Sequence, residues 1–576
     1  MQHECCKESA EDTLFSTALA ALNSPLHQAI THADFEKTNR RRKYTVSDMR
    51  TYLQRIGLPF DDPKHCRNII HITGTKGKGS TAAFCDSICR HAYGYRVGLF
   101  TSPHLVHICE RIRIDGQPVS TQIFGKAYWN VRHHLENWKD NNFSSTNEKN
   151  NNDDLPILPG FFRMILLVAL DIFASLSQPI QVLVLEVGMG GRYDCTNIFD
   201  HTATNTVCGV TLIDYDHVRI LGSTLEQIAW EKGGIFLQNK DCNTSCYTQR
   251  PLDSETCVDE GIEEEGGIID EHKYDHGNNK LFSIESNRPS VLKILQKCAL
   301  NEGMGSKLSI CRLGDHTLPD TFLGLAGTHQ RINAELAISM CRSLQKFLMK
   351  EDSCDIDVES NRQKFYQALG MTILPGRCQT INYFNTEKTL KLILRCDGAH
   401  THESIKACLE WFQDMSGYKG SQGIKGKRVM IFNCSHERDP VSLLRLAKIV
   451  HNNQPLFHRV YFCPLSSRPS PIDKLPMHVL LKQCGVYLDE NQQHLPSTWT
   501  ETLALIWKAL CHDDDVGNLL KEKDENIHSN MTVEETLSDI RLWASSFRSN
   551  QDSIQVDVCV MGSLYLVGSV LSAVEG

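Results

Sequence analysis

From residue 68 onward, short apolar runs alternate with longer segments of helical period, the pattern of a parallel sheet covered by helices. The spacing predicts strands over 68–72, 97–101, 182–187 and 207–213, and helices over 80–92 and 161–176. The run 182–187 (VLVLEV) is apolar at nearly every position, as expected of a strand covered on both faces. A second alternating series follows Pro375, with strands at 390–396, 428–433, 459–463 and 555–561. Its helices are expected at 403–415, 441–451 and from 564 onward. The fold class is therefore α/β, with a larger domain over 1–370 and a smaller one over 371–576.

Three stretches break this rhythm: 139–156, 240–280 with its Glu263-Glu264-Glu265 run, and 513–530. Their Asn, Asp, Ser and Glu content buries too little apolar area to build structure, so they read as surface inserts without chemistry. A chain of 576 residues exceeds what one hydrophobic core accommodates, which independently favours two domains. Hydrophobic residues make up 41% and charged residues 22%, ordinary for a soluble globular protein.

A formal charge of -9 gives no broad basic field, which argues against a nucleic-acid partner. The basic run 39–43 (NRRRK) reads as a solvated face. The 23 cysteines are scattered, Cys5-Cys6 and the Cys85, Cys89 pair lack a second pair at zinc-ligand spacing, and a reducing compartment without structural zinc is expected. The opening MQHECCKESAEDTLF resembles neither a secretory signal nor an Arg-rich transit peptide, and no run reaches the ~20 apolar residues of a membrane span. Cytosolic residence is the expectation.

Candidate chemistry begins at His71 to Ser80, HITGTKGKGS, between a strand and a helix. Gly74, Gly77 and Gly79 let the backbone turn and aim N–H groups at an anion, the helix start adds positive potential, and Lys78 adds a point charge. The ordinary phosphate loop has glycine where Ile72 stands and a hydroxyl where Gly79 stands; here the hydroxyl comes one residue later, as Ser80. The residues alone leave two readings, a nucleotide phosphate cradle or a glycine-rich turn. Glu186 ends a buried strand before Gly188, Gly190 and Gly191, at the edge where α/β proteins bind ligands, although an acid there also serves as a cap or ion-pair partner. Asp214-Tyr215-Asp216-His217 ends the next strand, and Lys232 lies in the following helix, where a plain surface charge is the alternative.

Taken together, GTKGKGS, SPHL at 102–105, ERIRI at 110–114, LEVGMGGRYD and IAWEKGGIF at 228–236 resemble folylpolyglutamate synthase, a family of the Mur ligase superfamily. HQRIN at 329–333, PGR at 375–377, DGAH at 397–400, FNCSHERDP at 432–440 and GSLYLVGSVL at 562–571 extend the resemblance to about residues 22–571, inserts omitted. It implies a P-loop-type ATPase domain followed by a Rossmann-like ligase domain. It also implies an ATP-dependent ligase that phosphorylates a folate-borne glutamate carboxylate and joins the acyl phosphate to an incoming glutamate, releasing ADP and phosphate. The matching positions would place ATP on Gly77, Lys78, Gly79, Ser80, Asn333, Arg377, Asp397 and His400, between the domains. Ser102, Glu186 and His217 would hold Mg2+, with K+ as a further cation. Lys78, Lys232 and His217 would be catalytic, and Lys232 matches a lysine that is carbamylated in Mur-type ligases. Reduced folate, L-glutamate and ATP are the expected partners of a monomer.

Two departures stand out. Asp214 occupies a position where the family commonly has glycine, which offers an extra carboxylate near the metal, and His436-Glu437 replace smaller residues. Dihydrofolate synthase, which shares the ATP and metal motifs, is the rival within the enzyme class. A nucleotide-binding protein without ligase activity is the rival outside it, disfavoured because Lys78, Glu186, His217 and Lys232 are all present.

Overall fold

A computed structural model describes residues 10–24, 45–58, 67–138, 155–201, 203–237, 280–302, 307–316, 323–348, 359–384, 390–417, 426–435, 438–451, 454–465, 480, 482–483, 496–511, 524–547 and 554–575. Cys5-Cys6, the basic run 39–43, His436-Glu437 and the inserts over 139–154, 240–279 and 513–523 lie outside the described residues. The chain divides into two compact units. The first comprises Met1–His104, Ile108–Gly324 and His329–Ile373, and the second Leu105–His107, Leu325–Thr328 and Leu374–Gly576.

The first unit is built on an eight-stranded sheet, with β1 Asn68–Thr73, β2 Val97–Phe100, β3 Ile112–Ile114, β4 Gln117–Pro118, β5 Val182–Glu186, β6 Asn205–Val210, β7 Leu281–Ile284 and β8 Leu308–Cys311. Its order is β4-β3-β2-β5-β1-β6-β7-β8. Six of these strands run parallel, while β3 and β4 add an antiparallel edge that the apolar periodicity did not signal. After β1 the chain steps to β2 on one side and later to β6 on the other, so the order reverses around β1 and opens a crevice at the carboxyl ends of β1, β5 and β6.

The central strands β1, β2, β5, β6 and β7 are buried on both faces because helices cover each side. The helix Phe161–Ala174 (FFRMILLVALDIFA) packs its apolar residues into one core with Phe100, Leu183 and Tyr128. A second core gathers Val210, Ile228, Phe236, Leu281 and Leu295. Helix starts are fixed locally: Ser120 accepts from the N–H of Ile123 ahead of Thr121–Glu136, and Thr224 accepts from that of Gln227 ahead of Leu225–Gly233.

The second unit carries a six-stranded sheet of β9 Gln379–Phe384, β10 Leu390–Cys396, β11 Lys427–Phe432, β14 Arg459–Phe462, β15 Ile527–Ser529 and β16 Ile554–Met561, in the order β15-β14-β11-β16-β10-β9. Only β9 within this sheet is antiparallel. Capping boxes start its helices at Thr401 with Ser404 and at Thr532 with Glu535. Both sheets fit the expected mostly parallel α/β class.

Two local expectations are corrected. The helix expected over 441–451 is Pro440–Ala447, opened by Asp439 and Pro440. Beyond it, Val450–His451 (β12) pairs antiparallel with Gln454–Pro455 (β13), since the β-branched Ile449 and Val450 favour extended backbone. The end of the 513–530 stretch is not irregular either, because Ile527–Ser529 forms the edge strand β15 beside β14.

Candidate active site

The loop after β1 carries the sharpest geometry. Gly77 precedes the helix Lys78–His91 with φ +90, a left-handed conformation that disfavours any side chain, and a Cβ there would stand 2.5 Å from Oδ1 of Asn333. Gly74, at φ +148, lies so close to β6 that a Cβ would fall 1.8 Å from Oγ1 of Thr211. The first helical N–H to find an i−4 carbonyl is that of Thr81, bonded to Gly77 O at 2.9 Å, which leaves the amides of Lys78, Gly79 and Ser80 for an anion. No acidic residue stands in that first turn to compete. Gly77, Lys78, Gly79 and Ser80 thus form one cradle, with buried Asn333 against it.

At the end of β5, buried Glu186 accepts a hydrogen bond from the backbone N–H of Ser102 at 3.0 Å, so the hydroxyl-bearing residue and the carboxylate are neighbours. Oxygen donors of this kind suit Mg2+, which keeps several waters and takes substrate phosphates as further ligands. Among the described residues no three His, Cys, Asp or Glu side chains group closely enough to hold a metal ion by themselves. His217 adopts a left-handed backbone (φ 50) ahead of the short helix Val218–Leu221, with its side chain 51% exposed and Nε2 3.9 Å from Oδ2 of Asp216. It lies on the segment that follows β6.

Lys232, on Leu225–Gly233, is turned inward, contrary to a plain surface charge. Its Nζ donates to the carbonyl oxygen of Gly74 at 2.8 Å and the residue is buried. Burial lowers its pKa first, the neighbouring Lys78 charge adds to that, and Asp216, Asp194 and Glu231 offset part, leaving it at about 7. A substantial fraction of this amine is therefore neutral and nucleophilic near pH 7.

Asp194 organises the glycine turn and carried no role in the sequence. Buried, it accepts from the N–H of Met189 (3.0 Å), the N–H of Thr196 (2.9 Å) and Oγ1 of Thr196 (2.6 Å). With the Thr196 hydroxyl hydrogen given to Asp194, Nε2–H of His71 is the donor in the 2.9 Å contact between His71 and Thr196. Burial pushes the Asp194 carboxyl up and these donors hold it back. Asn287 is a second unforeseen contributor: it accepts from the N–H of Ile213 at 2.7 Å and donates to the carbonyl of Thr211 at 3.1 Å, fixing the segment beyond β6. A short DCTN run after a glycine turn was the available signal for Asp194; nothing local marks Asn287.

The extra carboxylate expected from Asp214 is already engaged. Its Oδ2 lies 2.6 Å from Nζ of Lys76 and its Oδ1 accepts from the N–H of Tyr215 at 2.8 Å, so it ties the loop after β1 to the segment after β6.

In the second unit, Asp397 follows β10 and accepts from the N–H of Cys378 at 2.7 Å. The N–H of Gly398 bonds to Gly376 O at 3.0 Å, and a Cβ at Gly398 would lie 2.8 Å from the Arg377 guanidinium. Nδ1–H of His400 donates to Gly398 O at 2.8 Å. Arg377, Asp397 and His400 are therefore gathered at one end of this sheet.

No protein-family model matches the chain. It is 30% identical over 616 residues to a mitochondrial folylpolyglutamate synthase of Bos taurus, covering 98% of this chain and 93% of that protein. It is 34% identical over 468 residues to a mitochondrial folylpolyglutamate synthase of Homo sapiens, covering 77% and 67%. Among solved structures, a Mycobacterium tuberculosis folylpolyglutamate synthase complexed with ADP and AMPPCP aligns with a TM-score of 0.58 at 19% identity, covering 92% of this chain and 94% of that one.

Proposed function

The chain belongs to the folylpolyglutamate synthase family, and from that premise we propose that it extends reduced folates by γ-linked glutamate at the expense of ATP. The supporting observation is the meeting of a helix N-terminus, Lys78 and the inward Lys232 at the carboxyl end of β1, beside the Ser102–Glu186 pair. That arrangement suits phosphoryl transfer, in which positioning and charge neutralisation supply most of the acceleration.

In the proposed sequence, the amides of Gly77 to Ser80 and the Lys78 ammonium hold the outer phosphates of ATP, while Asn333 sets the position of Gly77. Ser102, Glu186 and His217 would hold Mg2+, which when bound supplies Lewis-acid neutralisation of phosphate charge. The folate γ-carboxylate takes the terminal phosphoryl group, and the amine of the incoming glutamate displaces phosphate from the acyl phosphate. Carbamylation of Lys232 would replace a cation near Lys78 by an anion and so turn repulsion into attraction. Arg377, Asp397 and His400 are proposed as further nucleotide contacts.

The test is whether ADP release requires both glutamate and a reduced folate. Dependence on both, lost in Lys78→Ala, is the expected result; ADP release that survives this substitution sinks the assignment of the loop. Offering dihydropteroate beside tetrahydrofolate separates polyglutamylation from dihydrofolate synthesis. Among the described residues no helix is long and apolar enough to cross a membrane. Cytosolic residence of a monomer stays part of the proposal, and the names of the bovine and human relatives make a mitochondrial form the alternative for fractionation to decide.

A further inference from the structure

The phosphate loop contains two lysines two residues apart, Lys76 and Lys78, and the structure treats them differently. The N–H groups of Thr75 and Lys76 both turn away from the cradle and donate to Leu212 O, at 2.8 and 3.1 Å. Oγ1 of Thr75 donates to the carbonyl of Asp214 at 3.0 Å and accepts from its N–H at 3.1 Å. Nζ of Lys76 meets Oδ2 of Asp214 at 2.6 Å, with both side chains only 21% exposed. Residues 75–76 and 212–214 thus close into a bracket of five contacts, while the helix begins afresh at Lys78. A lysine carries its charge on a flexible four-carbon stem, and an ammonium released this close to a phosphate site is drawn to the phosphates.

We propose that Asp214 is a positioning residue that holds the Lys76 ammonium out of the phosphate cradle, so that Lys78 alone among the loop lysines bears on the nucleotide phosphates. The proposal rests on the ATP-dependent reading of this loop and deepens it. Two ammonium groups on the same phosphates would retain the product ADP, so a carboxylate that occupies one of them keeps turnover from stalling on release. Glycine at 214 would leave Lys76 without this partner.

The experiment titrates ADP with Mg2+ into the full chain by calorimetry at low and high salt, in parallel with kcat and KM for ATP. Asp214→Asn keeps the side-chain size and an acceptor for the N–H of Tyr215 but removes the charge. It is expected to tighten ADP about three- to tenfold, the order of one charge-assisted contact. The gain should shrink at high salt, and kcat should fall together with KM. In the doubly neutral Lys76→Met, Asp214→Asn protein, ADP affinity should return to within about twofold of the parent. Weaker or unchanged ADP binding in Asp214→Asn, or a gain that persists in the double variant, overturns the proposal. If Asp214→Asn alone does not fold, Asp214→Gly, which likewise frees Lys76, is titrated in its place: tighter ADP binding supports the proposal, and weaker or unchanged binding overturns it. A parent protein that binds ADP but consumes no ATP with glutamate and reduced folate sinks the ligase reading while leaving this one standing.

Discussion

Nζ of Lys232 and the carbonyl oxygen of Gly74 are 2.8 Å apart, which ties the helix Leu225–Gly233 to the first glycine of the phosphate loop. A single buried donor thereby links a lysine whose pKa burial lowers to about 7 to the loop that leads into the helix Lys78–His91.

That pKa sets a pH dependence. An amine is captured by carbon dioxide only when neutral, so carbamate at Lys232 should accumulate above ~pH 7 and be lost below ~pH 6. Labelled bicarbonate followed by carbon NMR reads this directly, and Lys232→Met should abolish the signal. The same shift opposes folding: its cost is absent above ~pH 10.4, where both states are neutral, grows as pH falls, and is full below about 7. Lys232→Met should therefore gain stability relative to the parent as pH falls through that window, measured by urea midpoints.

Gly77→Ala combines a positive φ with a Cβ 2.5 Å from Oδ1 of Asn333. The strained backbone should cost roughly 1–3 kcal/mol in the folded loop. ATP affinity is expected to fall at least about tenfold, the equivalent of ~1.4 kcal/mol. Nucleotide titration checks it, and Asn333→Ala, which clears the contact, should restore part of the loss.

Removing the Asp194 carboxylate leaves the N–H groups of Met189 and Thr196 without their acceptor. Asp194→Ala should cost about 2–4 kcal/mol, from unpaired buried donors and lost packing. Because the affected turn follows Glu186, the Mg2+ concentration giving half-maximal activity should rise as well. Thermal unfolding and a metal titration separate the two effects.

Glu186→Gln keeps the shape and removes the charge beside Ser102. The Mg2+ requirement should rise by about ten- to a hundredfold, with ADP binding in the absence of metal nearly unchanged.

In the second unit, Arg395 and Asp557 form a buried pair at 2.8 Å across β10 and β16. Arg395→Met alone should cost about 3–5 kcal/mol by stranding the Asp557 charge. Arg395→Met with Asp557→Leu should recover most of that, as judged by denaturant midpoints.

Much of this architecture was legible in the sequence. Apolar runs such as 182–186 announce strands covered on both faces, because a parallel strand cannot bury both sides with alternating polar residues. Gly74 and Gly77 announced the sharp turn between β1 and its helix, since only glycine tolerates such backbone and so close an approach. The short antiparallel strands β3 and β4 and the edge strand β15 were not legible, because two or three residues carry no period.

The sequence by itself determined the fold class and the glycine-rich turn between β1 and its helix, both of which depend on residues within a few positions of one another. Only the tertiary structure decided which partners the polar side chains meet. Taken by itself in the sequence Lys232 could have been a helix-surface charge, and only the fold shows it turned inward, 2.8 Å from Gly74, 158 positions earlier in the chain. The ion-pair partner of Asp214 was not visible until the pairing of residues 75–76 with 212–214 brought Lys76 to it. Asp194 and Asn287 had no visible role until their hydrogen-bond partners were in place. A buried charge or amide acquires its function from whatever neutralises or satisfies it, and in a parallel sheet those partners are brought together by strand order rather than by sequence spacing.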